Sequence, residues 1–207
     1  MSTQALKKKY RATSIATAVV ATTVLTGCMM FQVPDSVDSR DFLNGTEFLL
    51  TEPYVWRIGN SRHSIAVPAG FVTDFASIPA PLRTVFERHG RYSRAAVIHD
   101  YLYWTQSCTR KQADNLFWIA MKELNVPAVT RGLVYTGVDV GGGSAWQANR
   151  NERRQGMPKI VPVAYYPLSN THTWKSARTE LVRRGVRDPA TAPDAAYCAA
   201  GNVAVVP

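Results

Sequence analysis

A histidine, a tyrosine and an aspartate in the middle of the chain have the types and the spacing of an acid–base site. His99 and Tyr103 lie four residues apart in a stretch without helix breakers, so they share one face of a predicted helix. A second predicted helix begins at Thr109 and carries Asp114 beside its apolar stripe. Because only a short link separates the two helices, we expect them to pack antiparallel and Asp114 to hydrogen-bond His99. A carboxylate on one ring nitrogen makes the other nitrogen a better base.

Two further acids are candidate metal ligands. Asp100 follows His99 and is turned by about 100° from it on the helix, which frees it to bind a metal ion or the backbone. Asp74 lies in a stiff apolar loop that we predict from Phe71 to Pro81. A charge in such a setting either binds something or caps a turn or helix, and both roles stay open for Asp74.

The histidine site itself has two interpretations. Catalysis requires His99 in an open cleft, with a free ring nitrogen and a gap lined by oxygens for a metal ion. A structural role requires the same groups to be buried and mutually hydrogen-bonded, as a polar network that fixes the helix pair.

Local signals mark the elements around this site. Thr109 to Gln112 fits a capping box at the start of the second helix. Apolar residues then recur at helical spacing: Ala113, Leu116, Phe117, Ala120, Met121 and Leu124. A third helix is predicted from Val129 to about Val138, and Gly141–Gly143 predicts a bend after it.

Short apolar alternations in residues 46–59 and 64–67 predict strands. We therefore expect an α+β fold, with a small antiparallel sheet packed on a three-helix core and an irregular C-terminal tail. The predicted organisation is an N-terminal segment (1–27), a tether (28–45), a core domain (46–154) and a C-terminal extension (155–207).

The N-terminal segment has the composition of an export signal. Residues 1–27 contain no acid, and an uncharged run from Ala12 to Gly27 is shorter than the ~20 residues of a spanning helix. Four cations precede that run: Lys7, Lys8, Lys9 and Arg11. Removing this segment lowers the net charge from +9 to +5, so the basicity is partly that of the signal. We expect no nucleic-acid partner for an exported protein.

Val24 to Cys28 resembles a bacterial lipobox. The resemblance implies that Cys28 is acylated, with palmitate among the acyl chains, and becomes the N-terminus of a Gram-negative envelope lipoprotein. Met29 in place of Asp implies the outer membrane, facing the periplasm, with envelope lipid or an outer-membrane protein as partner. More than one acyl chain gives stable anchoring. The alternatives are an ordinary signal peptide with a chance cysteine, and a retained anchor helix.

Cys108 and Cys198 remain as an even pair in an oxidising compartment. A disulfide between them would tie the C-terminal tail to the middle of the domain, but the sequence does not show that they come close.

Three motifs, within roughly residues 46–150, resemble a family of unknown function that is common in bacteriophages and prophages. They are Thr73–Pro79, His99–Tyr103, and Arg110 with Ala113, Asp114 and Phe117. The resemblance implies a phage or prophage origin and no particular activity.

His99-Asp100 with Tyr103, followed by Asp114, is also similar to the helix pair of secreted calcium-dependent phospholipases. That similarity implies His99 as the base, Asp100 as a calcium ligand, Asp114 as the group that orients His99, and Tyr103 bonded to Asp114. Asp74 would complete the calcium site in place of that family's glycine-rich loop.

Three functions follow as expectations. The first is a lipid-anchored hydrolase of phospholipid or similar esters, with calcium as the metal. The second is a non-catalytic envelope lipoprotein that modifies the host surface or blocks superinfection by another phage; a virion or lysis accessory protein is a third.

Overall fold

The computed structural model describes residues 37–75 and 91–205. The predicted signal peptide, Cys28 and residues 76–79 of the first motif lie outside these ranges. The described residues form a small antiparallel sheet region packed on helices, which confirms the predicted α+β class. Within these ranges, no helix combines the length and the apolar character that crossing a membrane needs.

Three short strands form the first sheet, in which β2 (Phe48–Leu50) lies between β1 (Ser39–Asp41) and β5 (Val72–Thr73). Both pairings are antiparallel. All three residues of β2 are buried, because both faces of the strand are covered. Phe48 and Leu50 belong to the main core, and Leu49 belongs to a second core on the opposite face.

A separate hairpin consists of β3 (Tyr54–Arg57) and β4 (Ser64–Val67). Burial alternates along both strands, as expected for a sheet with one face on the core. Trp56 faces inward and donates a hydrogen bond from its Nε1 to Glu123, at 2.7 Å. This bond ties the hairpin to the end of the second helix.

Helices α1 (Arg91–Thr105) and α2 (Arg110–Glu123) form a hairpin. Tyr92, near the start of α1, contacts Phe117 in the second half of α2, with 5.8 Å between ring centroids, as antiparallel packing requires. The capping box at Thr109 is confirmed, because the Thr109 hydroxyl accepts from the Gln112 backbone and the Gln112 side chain accepts from the Thr109 backbone.

The bend predicted at Gly141–Gly143 is wrong, because α3 runs without a break from Ala128 to Arg154. Gly142 is buried, whereas Gly141 and Gly143 are exposed. A Cβ on Gly142 would lie 2.3 Å from the hydroxyl oxygen of Tyr103, but a Cβ on either neighbour would meet nothing within 4 Å. Close packing of α3 on α1 thus accounts for Gly142.

The predicted loop from Phe71 to Pro81 also needs a correction, because its residues Val72 and Thr73 form strand β5. Lys159 and Ile160 approach this region from the C-terminal part of the chain. The Val72 N–H donates to the Lys159 carbonyl at 2.9 Å, and Phe71 forms a β-bridge with Ile160.

The residues after α3 cover both the sheet and the helix pair. They contain two 3₁₀ segments (Val163–Asn170 and Ala196–Asn202) and helix α4 (Trp174–Arg183). α4 supplies its three buried side chains to the second core, which consists of Phe42, Leu49, Val72, Val161, Trp174, Ala177 and Leu181. The second 3₁₀ segment packs on α2, where Asn115 donates to the Gly201 carbonyl at 2.9 Å.

Candidate functional site

The hairpin of α1 and α2 brings His99 and Asp114 into direct contact. The Nε2 atom of His99 lies 3.1 Å from Oδ1 of Asp114, within hydrogen-bond distance. His99 comes from the middle of α1 and Asp114 from the second turn of α2, and the packing of the two helices sets their distance.

Two further donors complete the surroundings of Asp114. The Tyr103 hydroxyl donates to Oδ1 at 2.6 Å, and the Arg110 guanidinium donates to Oδ2 at 3.0 Å. Asp114 is fully buried, so these bonds replace the water that its carboxylate loses. We call His99, Tyr103, Arg110 and Asp114 the histidine network.

The histidine network is enclosed by aromatic side chains. The His99 ring stacks on Phe117 at a centroid distance of 4.5 Å and lies 4.1 Å from the Tyr103 ring. Trp146 of α3 also contacts the Tyr103 ring, edge to face at a centroid distance of 5.1 Å. His99 keeps 1% of its surface exposed, so its surroundings are those of a core residue.

Burial decides the ionisation of the two titratable rings. It lowers the pKa of His99, against the opposing effect of Asp114, so the imidazole is neutral at pH 7. Its Nε2 faces a carboxylate, which assigns the proton of the neutral ring to Nε2. Burial and the Asp114 bond both raise the pKa of Tyr103, which therefore remains a hydrogen-bond donor.

Asp100 forms a second polar group on the same helix. Its Oδ2 accepts a hydrogen bond from the Thr73 hydroxyl at 2.5 Å, which joins the two sequence motifs. Burial, followed by the charge of Asp74, raises the pKa of Asp100 to about 7, and Lys159 and Thr73 act in the opposite direction. Asp74 itself is exposed.

Calcium fits these acids only in part. Asp74 and Asp100 interact with each other and offer two carboxylates, whereas calcium takes six to eight oxygen ligands. Over residues 37–75 and 91–205, no group of three or more histidine, cysteine or acidic side chains is arranged to hold a metal ion.

The structure therefore groups the predicted site residues in two places. His99, Tyr103 and Asp114 meet in one network, and Asp100 meets Thr73 and Asp74 beside it. The open cleft that catalysis would require around His99 is replaced by a buried, aromatic setting.

No chemical role was predicted for Arg110, the fourth member of the network, which the sequence singles out only through the family resemblance. Arg110 and Asp114 are four residues apart on one helix, and that spacing of opposite charges was a readable signal for the pair. The exposed fraction of the Arg110 side chain is 31%, so this residue connects the network to the surface.

A disulfide joins Cys108, in the link between α1 and α2, to Cys198 in the second 3₁₀ segment. Its two Cα atoms lie 5.4 Å apart. The bridge holds the C-terminal segment against the start of α2, next to the histidine network.

A family model described as a protein of unknown function (DUF1353) matches residues 48–138. The matched range includes the β3–β4 hairpin, helices α1 and α2, and all four residues of the histidine network. The comparisons with curated proteins and with solved structures gave no significant match.

Proposed function

We propose that this chain is a lipid-anchored envelope protein of phage or prophage origin that works by binding a component of the envelope and not by catalysis. The observation that carries the proposal is the burial of His99 and Asp114 in a network whose members bond one another. A general base must reach a substrate or a water molecule, and a ring enclosed by Phe117 and Tyr103 is poorly placed for that.

The envelope location is supported by the sequence around Cys28. A basic start, a short uncharged run and a cysteine after Gly27 are typical of lipoprotein signals. The Cys108–Cys198 disulfide is consistent with folding in an oxidising compartment. The phage or prophage origin is supported by the family resemblance of the motifs.

Expression of the full chain in a Gram-negative host tests this proposal. We expect palmitate to be incorporated into the wild type and not into Cys28→Ser. We also expect cells with the wild type to adsorb at least one of a panel of phages more slowly, and cells with Cys28→Ser to behave as the empty host. Unlabelled wild-type protein, or unchanged adsorption across the panel, would count against the proposal.

Hydrolysis of an ester of the bilayer is the second candidate. The observation in its favour is the order of contacts: the imidazole meets Asp114, and Tyr103 meets the same carboxylate, as the resemblance to phospholipases implies. In this alternative His99 would act as the base and Asp114 would orient it.

Fatty-acid release from phospholipid vesicles, with and without calcium, separates the two candidates. The informative variant is His99→Gln, and His63→Gln makes the same change at an exposed histidine. Binding without catalysis predicts only background release from all three proteins. Release by the wild type and His63→Gln, but not by folded His99→Gln, would establish the hydrolase instead.

A further inference from the structure

A groove lined by arginines runs along the C-terminal half of α3, where this helix passes the link between α1 and α2. One part has a volume of about 330 Å³ and the adjoining part about 270 Å³. Gln106 and Arg150 line both parts, so the two form one surface feature, which we call the arginine groove. Its cationic lining residues are Arg110, Arg150, Arg153 and Arg154.

The positive charge at the end of α3 is not neutralised by nearby acids. Among the described residues, no carboxylate lies within ion-pair distance of Arg150, Arg153 or Arg154. Asp194 on the lining of the larger part, and Asp188 in a pocket that Arg153 also lines, offset some of this charge. Three unpaired guanidinium groups within five residues leave the groove strongly cationic.

Neutral groups hold two of these arginines in place. Arg153 donates to the Thr105 carbonyl and, at 2.8 Å, to the Thr191 hydroxyl. The Nε atom of Arg150 donates to the Gln106 side chain at 3.2 Å, and the Gln106 amide in turn donates to the Trp146 carbonyl at 2.7 Å. These bonds fix the direction of the side chains and leave their charges uncompensated.

The C-terminus of α4 provides a comparison, because its arginines are paired with an acid. Arg183 and Arg184 both pair with Glu180, at 2.6 Å and 2.5 Å. A helix C-terminus favours cations in both places. What distinguishes the arginine groove is that Arg150, Arg153 and Arg154 have no acid within ion-pair distance and that their surface is concave.

The backbone on the two sides of the groove is unusual. Gln106 and Asp194 both adopt left-handed conformations, with φ of 50° and 51°, which non-glycine residues rarely do. Such conformations are concentrated at binding sites, where the surrounding structure holds them. Here they place an amide and a carboxylate on the lining of the groove.

We propose that the arginine groove binds a phosphate group. Guanidinium groups match phosphate through paired, charge-assisted hydrogen bonds. The phosphate can belong to an anionic lipid headgroup or to a soluble phosphate compound; the headgroup source rests on the envelope location proposed above. Through Arg110, which lines the groove and bonds Asp114, the bound anion lies next to the histidine network.

Isothermal titration calorimetry tests the site. Inorganic pyrophosphate is titrated into the full chain carrying Cys28→Ser. The groove variant is Arg150→Gln with Arg154→Gln, and the control is Arg183→Gln with Arg184→Gln, which removes the same charge from another helix end. We expect the groove variant to weaken binding at least about tenfold and the control to change it little. The absence of saturable binding, or equal weakening in both variants, would overturn the proposal.

Co-sedimentation with vesicles identifies the source of the phosphate. We compare vesicles of phosphatidylcholine with and without phosphatidylglycerol. Binding that needs phosphatidylglycerol and the groove arginines, and that pyrophosphate competes away, identifies a headgroup. Pyrophosphate binding without such vesicle binding identifies a soluble phosphate compound. Failure in both assays overturns only the proposal that the arginine groove binds phosphate. The envelope proposal is tested separately, by palmitate labelling and phage adsorption.

Discussion

Gly142 lies directly against the hydroxyl of Tyr103. A Cβ at position 142 would come within 2.3 Å of the Tyr103 hydroxyl oxygen and 3.5 Å of Arg110. The same hydroxyl donates to Asp114 at 2.6 Å, so it has little freedom to move away. One glycine in α3 therefore sets how closely this helix approaches the histidine network.

The three consecutive glycines should respond differently to alanine. Gly142→Ala forces Tyr103 or α3 to shift, and we expect it to cost about 1–3 kcal/mol of unfolding free energy. Gly141→Ala and Gly143→Ala face open space, and alanine in a helix interior should stabilise each by about 0.5–1 kcal/mol. Urea denaturation of the three variants measures this. Equal effects at all three positions would contradict the packing of α3.

The contrast between Gly142 and its neighbours shows where the sequence was informative. The capping box and the apolar stripe of α2 are local patterns, and both are confirmed. Three glycines in a row locally favour a bend, but the packing of α3 on Tyr103 outweighs that tendency. Strand β5 depends on its pairing with β2 and on a bond between Val72 and the distant Lys159, and no local pattern contains either contact.

For the candidate site too, local spacing predicted some features, and other features depend on tertiary packing. Helical spacing suggested that His99 and Tyr103 share a face and that Asp114 lies opposite. How deeply the network is buried depends on Phe117 and on Trp146 of α3, and the exposure of a ring cannot be derived from spacing alone.

Loss of the carboxylate at position 114 should destabilise the fold. Asp114→Asn removes the charge that pairs with Arg110 and leaves one or more buried donors poorly satisfied. We expect a loss of about 3–5 kcal/mol, as for other broken buried pairs. The matched control is Asp139→Asn, whose partner Lys111 is exposed, with an expected loss below about 1 kcal/mol. Comparable denaturation midpoints for the two variants would argue against a structural network.

Asp100 should make the protein less stable as the pH rises. Its pKa is about 7 in the folded state and near its ordinary value of 3.8 in the unfolded chain. Between these two pKa values the folded state holds a proton that the unfolded state releases. The contribution of Asp100 to the unfolding free energy is therefore fully present below about pH 4 and is lost as the pH rises through about 7. Asp100→Asn should remove this dependence and be more stable than the wild type at pH 8, by on the order of 3 kcal/mol.

Unfolding free energies between about pH 4 and 8 test this prediction. Asp74→Asn is a second variant, because the charge of Asp74 contributes to the raised pKa of Asp100 and its removal should weaken the trend. Parallel pH profiles for the wild type and Asp100→Asn would show that Asp100 does not carry the effect.

The disulfide should hold the C-terminal segment on α2. It joins residues 90 positions apart, and closing a loop of that size is worth about 2–5 kcal/mol. Replacing Cys108 and Cys198 by serine should lower stability by that amount. Hydrogen exchange should become faster in residues 196–202 first, because Asn115 and the bridge both anchor that segment. A double variant with unchanged stability and exchange would rule out this anchoring role.

The most direct test of the central claim is ¹⁵N NMR of the His99 ring, assigned by its loss in His99→Gln. A buried structural network predicts a ring that is neutral at pH 7 with its proton on Nε2, slow exchange of that proton with water, and no response to phospholipid or calcium. A ring that titrates at or above its ordinary pKa of 6.5, or that exchanges rapidly and shifts when phospholipid is added, would contradict the claim.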